Sequence, residues 1–242
     1  MNLKQFFRSK LESVLGVRAF KYPWLPHGTS LEADLERWVG RTNLKTVFDV
    51  GAHHGDFALE LSRSFPQATI YAFEPFPESH KILSSLNIPR VVPVNKAVGA
   101  ESGRLPLNVK EGTTGCSLVN SAGTVDTVDV DLITLDEFAE AEGLSRVDLL
   151  KLDVEGFELE ALKGARRQLE EGSIAFLYAE TELVKSDHHF VAFADLVEVL
   201  GKFGYECGGI YDQQCHWTKK RSLYYVNALF ISPKFVSRDK GL

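Results

Sequence analysis

Cysteine is scarce in this chain. Cys116, Cys207 and Cys215 are the three in 242 residues, and no two stand in a C-x-x-C pair. An odd count without pair spacing argues against a disulfide framework and for a reducing, cytoplasmic compartment. Long apolar runs are also missing: no stretch approaches the roughly 18 apolar residues of a membrane span. In the N-terminal stretch MNLKQFFRSKLESVLGV, Lys4, Arg8, Lys10 and Glu12 interrupt the apolar residues, so it lacks the continuous core of a signal peptide. Leu3, Phe6, Phe7, Leu11 and Val14 instead predict a short amphipathic helix, with packing on the domain as its default use. No basic block occurs and the net charge is −6, which argues against a nucleic-acid partner. The dinucleotide fingerprint G-x-G-x-x-G is not met either.

The chain has the ordinary composition of a globular protein, 44% hydrophobic and 25% charged, and is long enough for one large α/β domain. Its central stretch runs from Thr46 to Phe57, T-V-F-D-V-G-A-H-H-G-D-F. The apolar run ending at Val50, the glycines Gly51 and Gly55, and the helical pattern of Phe57, Ala58, Leu59 and Leu61 predict a strand, a tight turn and a helix start. Unpaired N–H groups at such a helix start, with the positive end of its dipole, suit a carboxylate or phosphate. A turn that needs glycine for geometry alone remains the plainer alternative.

Residues 1–45 read as a helical appendage, with a loop around Tyr22 to Pro26 and a helix from Ser30, its N-cap, to Val39. Residues 46–242 read as the main domain. Strands are expected at Ala68–Phe73, Val91–Val94, Val147–Leu152, Ile174–Tyr178, Tyr205–Ile210 and Leu223–Ile231, the last two antiparallel. Helices are expected at about 55–65, after Pro77 with Ile82, Leu83 and Leu86 inward, at Leu135–Glu142 behind Thr134, at Phe157–Glu170 and at Phe190–Phe203. Residues 95–132 break the alternation with glycines and short β-like pieces, and read as an inserted hairpin and strand. The whole implies a doubly wound, mostly parallel, Rossmann-like α/β sheet. Ligands of such sheets sit at the carboxyl ends of the strands. Those ends carry Gly51, Glu74, Asn95, Asp153 with Glu155, and Glu180.

Glu74, ending the second strand about 25 residues after Asp49, is placed to accept hydrogen bonds from ribose hydroxyls. Clustered carboxylates are suited to general-base work, since one of them can hold its proton to higher pH. They also suit a hard divalent cation, which leaves a metal open. His188, His189 and His216 lie in loops that could line an acceptor pocket or face solvent. Cys116 and Ser117 could face it from the insertion or form a plain turn.

The order F-D-V-G-A-x-x-G, Y-A-F-E-P, N-K-A-V-G and V-D-L-L-K-L-D-V-E-G-F-E resembles the FkbM-type family of S-adenosylmethionine-dependent class I methyltransferases, over about residues 45–205. The K-x-D-x-E-G-x-E segment and the preceding T-L-D-E-F carry most of its specificity. His53 stands where that family commonly has Asn. The resemblance implies a seven-stranded methyltransferase sheet. It implies that Asp49, Gly51, Ala52, His53 and Gly55 form the pocket for the methionine end of the cofactor, that Glu74 holds the ribose, and that Pro75 and Phe76 border sugar or adenine. Asn95, Ala97 and Val98 would lie near the adenine, and Lys151 and Asp153 would face the glycine turn. Asp153, Glu155 and Glu180 are then the candidates for base or substrate holder. The expected activity is O-methylation of a small hydroxylated acceptor, a sugar or secondary metabolite, with S-adenosylhomocysteine as product. The insertion and the appendage would wall the acceptor pocket. The rivals are a nicotinamide-dependent oxidoreductase and a non-catalytic methyltransferase-like scaffold.

Overall fold

A computed structural model describes residues 25–109, 116–117, 126–183, 190–215 and 222–236, together with Val14 and Phe20. The expected N-terminal helix, apart from Val14, and His188, His189 and His216 lie outside the described residues, as do the side chains of Cys116 and Ser117. The elements in chain order are α1 (Leu31–Val39), β1 (Thr46–Val50), α2 (Asp56–Ser64), β2 (Thr69–Phe73), α3 (Pro77–Ser85) and β3 (Val91–Val94). Then come β4 (Ala97–Val98), β5 (Gly103–Val109), β6 (Cys116–Ser117), β7 (Asp126–Ile133), α4 (Leu135–Ala141) and β8 (Val147–Leu152). The last are α5 (Glu158–Lys163), α6 (Arg166–Glu170), β9 (Ile174–Glu182), α7 (Phe193–Gly201), β10 (Glu206–Cys215), β11 (Leu223–Ile231) and α8 (Pro233–Val236).

The main sheet has seven strands in the order β10-β11-β9-β8-β1-β2-β3. All neighbours are parallel except β11, which runs antiparallel to both β9 and β10. The central strands are continuous apolar runs because both faces of a parallel sheet are covered. Alternate residues serve opposite faces. Phe48, Leu150 and Leu177 enter a core with Leu135 and Phe138 of α4, Leu162 of α5 and Leu196 of α7. Val47, Leu149 and Phe176 enter a second core with Leu31 and Leu35 of α1 and Leu61 of α2. Each fully buried large side chain of this kind contributes about 1.5–3 kcal/mol. Helix α1 begins at Ser30, whose side chain accepts from Ala33 N. Its Trp38 stacks on Phe176 at 5.6 Å, so this face of the sheet is closed by α1.

The insertion is more than a hairpin and a strand. It forms a separate four-stranded sheet in the order β4-β7-β5-β6, with a small core of Ala97, Leu107 and Val130 against which Phe76 packs. Among the described residues no helix is long and apolar enough to cross a membrane.

Four expectations shift. Of the three apolar residues expected inward on α3, only Leu83 is buried; Ile82 and Leu86 are exposed, because a short helix at the sheet margin has one covered stripe. The single helix expected over Phe157–Glu170 is two, α5 and α6. The break falls at Gly164, where a Cβ would lie 2.0 Å from the Gly99 carbonyl oxygen. Asp136 then caps the new helix from outside, accepting from Arg167 N and Gln168 N. Helix α7 starts three residues later than expected, at Phe193 behind Ala192. Strand β9 runs on to Glu182 and β10 to Cys215, since backbone pairing with β11 extends them through polar residues that apolar patterning does not mark.

Because Gly164 has an ordinary helical φ, its requirement is purely one of space. Gly164→Ala is expected to cost about 1–3 kcal/mol by overpacking against Gly99, read as a lowered urea midpoint at unchanged slope.

Candidate active site

Strand β1 delivers Asp49 to the end of the sheet with no exposure, and β8 delivers Lys151 beside it. Lys151 Nζ lies 3.1 Å from Asp49 Oδ1 and 3.2 Å from Asp153 Oδ2, and donates to the Gly51 carbonyl at 3.1 Å. It also stands 5.3 Å from the centre of the Phe57 ring. Burial disfavours charge on both groups. For Lys151 the two carboxylates outweigh burial and hold its pKa above the ordinary lysine value. For Asp49 burial wins, and its pKa is raised despite Lys151.

Gly51 has φ 82, and a Cβ there would fall 1.8 Å from the Asp153 carbonyl oxygen. The first glycine thus allows β1 and the end of β8 to touch. The N–H groups of Gly51 and Ala52, in the turn ahead of the helix start, are not open. Both donate to the Phe73 carbonyl, which ties the turn to β2. The second glycine, Gly55, has φ 92 and makes room for Leu83 of α3 rather than for a ligand.

Glu74, at the end of β2, is 7% exposed. Its Oε2 accepts from His53 N at 2.7 Å and its Oε1 from Phe76 N at 2.9 Å. Burial raises its pKa and these two bonds oppose the rise. A carboxylate has about four acceptor sites, so each oxygen keeps capacity for one more donor. Asn95 faces this point from behind. Its Nδ2 donates to the carbonyls of Glu74 and Pro75, which fixes the strand end.

Two cavities open on this edge. The first, of about 300 Å³, is lined by Val50, Gly51, His53, Phe73, Glu74 and Pro75, by Lys96, Ala97, Val98 and Leu107 of the insertion, and by Asp153, Val154 and Glu155. It is a mostly apolar slot whose lining also includes the carboxylates of Glu74, Asp153 and Glu155 and the ammonium of Lys96. The second, of about 520 Å³, is polar. Residues Ser30 to Glu32 at the start of α1 line it, with Ala52, His54, Lys151, Tyr178, Glu180, Asp212, Tyr225 and Asn227. Gly51, His53 and Asp153 border both. The insertion therefore walls the first cavity and the appendage the second. Phe76 packs into the insertion's small core instead of lining either; Asp49 and Gly55 are buried beneath the surface, and Asn95 is exposed and lines neither cavity.

The carboxylates are unequal. Glu180 lies beside Asp153 and Tyr225, and burial, followed by the charges of Asp153 and Glu155, pushes its pKa up to about 8. Glu155 has φ 52, and the loop that contains it is held by Glu158, whose Oε1 accepts from Val154 N and Gly156 N. Glu158 is fully buried, and burial pushes its pKa up to about 7. It is the last acid of K-x-D-x-E-G-x-E, a signal present in the sequence but not separable there from an ordinary first-turn acid. Tyr178, Tyr225, Asp212 and Asn227 carried no sequence signal, because they come together only through β9, β10 and β11. Burial and the adjacent His54 lower the pKa of His53, whose buried Nε2 has no hydrogen-bond partner among the described residues. Among the described residues, no three or more His, Cys, Asp or Glu side chains converge as a metal site.

The model of the methyltransferase FkbM domain matches residues 49–207. The chain belongs to the FkbM methyltransferase family. This FkbM domain is 33% identical over 153 residues to the methyltransferase sdnD of Sordaria araneosa, covering 49% of this chain and 59% of that protein. It is 28% identical over 138 residues to the hexuronic acid methyltransferase AglP of Haloferax volcanii, covering 55% and 54%. It is 22% identical over 181 residues to the 2-O-methyltransferase NoeI of Sinorhizobium fredii, covering 65% and 74%. The chain thus spans less than two thirds of the length of sdnD and of AglP.

Removing the ammonium leaves Asp49 buried and uncompensated. Lys151→Met is expected to destabilise the protein by about 3–5 kcal/mol, measured by urea unfolding at neutral pH. Adding Asp49→Asn should recover part of that loss; a double variant no more stable than Lys151→Met would show that the buried charge is not the cause.

Proposed function

We propose that the chain is a methyltransferase that uses S-adenosylmethionine to methylate a hydroxyl of a sugar or secondary metabolite. The observation that carries this is the meeting of an apolar, nucleoside-sized slot and a polar cavity at Gly51, His53 and Asp153, with Glu180 beside the junction. Family membership supports the cofactor, and relatives described as acting on a hexuronic acid and as a 2-O-methyltransferase support the acceptor class.

The residues of the first cavity fit the cofactor. Phe73, Ala97, Val98 and Leu107 suit a flat heterocycle, and the remaining acceptor capacity of Glu74 suits a ribose diol. Gly51 keeps the floor free of a Cβ, and the carboxylate of Asp153 faces both cavities, where it tolerates a cation. The cofactor supplies an electrophilic methyl group on a sulfonium. Lys151 is committed to Asp49 and Asp153, which cancels its repulsion of that cation. An acceptor held in the second cavity presents its oxygen across the junction, and alignment of this kind is worth roughly 7–11 kcal/mol. Glu180, once deprotonated, takes the hydroxyl proton, with Tyr225 beside it. Glu155 and Asp153 are the alternative proton acceptors. Residues 46–242 would make up the catalytic domain and residues 1–45 an appendage that completes the acceptor side.

Calorimetric titration with S-adenosylmethionine and S-adenosylhomocysteine, with and without Mg²⁺ and beside NADH, tests the cofactor. Micromolar binding of the methyl cofactors is expected. Glu74→Gln should weaken it about tenfold to a hundredfold, since a charged hydrogen bond contributes roughly 1.5–3 kcal/mol. Well-folded protein that binds NADH and neither methyl cofactor would overturn the proposal in favour of the oxidoreductase.

Glu180 acts only when ionised, and its pKa is raised to about 8. Transfer should therefore rise tenfold per pH unit below about 8 and level off above it. Glu180→Gln should lower kcat by roughly 10²–10⁴-fold with cofactor affinity unchanged. A flat profile between pH 6 and 9 in the wild type, with chemistry limiting, would remove Glu180 from the role of base.

A further inference from the structure

The β9–β11 wall of the polar cavity holds a carboxylate that proton transfer does not use. Asp212 lies on β10, where the pairing with β11 shifts register between Tyr211 and Gln214 and Asp212 takes φ 47. A bulge of this kind re-aims a side chain. Asp212 Oδ2 accepts from the Tyr178 hydroxyl at 2.6 Å and from Asn227 Nδ2 at 3.1 Å. Those donors come from β9 and β11, so the carboxylate is clamped from two strands, and burial and Asp212 together raise the pKa of Tyr178 above the ordinary tyrosine value. Oδ1 has no partner among the described residues.

The rest of the cavity agrees in charge. Glu32, Asp56, Glu60, Asp153, Glu180 and Asp212 all line it. Lys151 is the one lysine or arginine among its described lining residues, and it is already shared between Asp49 and Asp153. A carboxylate or phosphate on the acceptor would meet repulsion with no lysine or arginine free to answer it among the described lining residues, whereas hydroxyl and ammonium groups would meet acceptors.

We propose that Asp212 is the acceptor anchor: its pre-positioned Oδ1 takes a hydrogen bond from a second O–H or N–H group of the acceptor, and the cavity selects neutral or amino-bearing polyhydroxylated molecules over anionic ones. This rests on the methyl-transfer reading above, and it separates this chain's acceptor from the hexuronic acid named for its Haloferax relative. Asp212 is a specificity-determining residue on β10, one strand beyond the Asn227 that pairs with Glu180.

The test uses the full chain, with and without saturating S-adenosylhomocysteine, and three probes: methyl glucopyranoside, glucosamine and glucuronate. Binding is read by saturation-transfer NMR and calorimetry in the wild type and in Asp212→Asn. Asparagine keeps the shape and accepts a left-handed φ, so the variant is expected to fold and to bind S-adenosylhomocysteine as before. Methyl glucopyranoside or glucosamine should bind at least about tenfold more tightly than glucuronate, and Asp212→Asn should narrow that gap about tenfold from both sides. Preference for glucosamine over methyl glucopyranoside would assign the anchor to an ammonium, and the reverse to a hydroxyl. Glucuronate binding as tightly as the neutral sugar in the wild type would overturn the proposal. So would an unchanged preference in Asp212→Asn, or no detectable binding of any probe. Absent S-adenosylhomocysteine binding would count against the cofactor reading alone, because the sugar titrations run without it still decide on Asp212.

Discussion

The ammonium of Lys151, held between Asp49 and Asp153 at the end of the sheet, is the interaction on which the site depends. One cation satisfies a fully buried carboxylate from β1, a half-exposed carboxylate past the end of β8 and the carbonyl of the glycine turn. Desolvation alone would neutralise such groups, and a single missing partner leaves a charge stranded in the core. The close approach it spans is possible because Gly51 has no Cβ to meet Asp153. The adjacent strands, the glycine turn and the loop that follows β8 are thereby locked into one rigid edge.

That edge then divides its labour. On one side the insertion's sheet covers an apolar slot beside Glu74. On the other, α1 and the β9–β11 strands enclose a polar cavity. Asp153 belongs to both, so the charge that steadies Lys151 also touches Glu180 across the junction. Glu158 stabilises the intervening loop from beneath by accepting two of its N–H groups, which keeps Glu155 in a left-handed conformation that a free chain would rarely adopt. Burial, followed by the same crowding of carboxylates, raises the Glu180 pKa to about 8.

The helix caps at Ser30 and Thr134 and the buried strands were legible because each depends on neighbours a few residues away. Ser30 and Thr134 accept from the N–H three residues on, as their sequence contexts suggest. Less legible were the roles of the two glycines. The space at Gly55 belongs to Leu83, and the turn's first N–H groups go to Phe73; both partners lie about twenty or more residues away. The need for glycine at the break between α5 and α6 was hidden for the same reason, since Gly99 is the group that leaves no room for a Cβ there.

The sequence by itself determined the alternation of elements, the doubly wound sheet and the family, along with the acids that stand at its strand ends. Those features follow from local periodicity and from a motif of contiguous residues. Only the tertiary structure decided that Asp49 and Lys151 are partners, that Asp153 sits between two cavities, and that Tyr178, Asp212, Tyr225 and Asn227 form one wall. These residues are brought together by the antiparallel insertion of β11 between β9 and β10, where backbone pairing, rather than side-chain pattern, sets which groups face each other. A register is a relation between distant segments, and no single segment carries it.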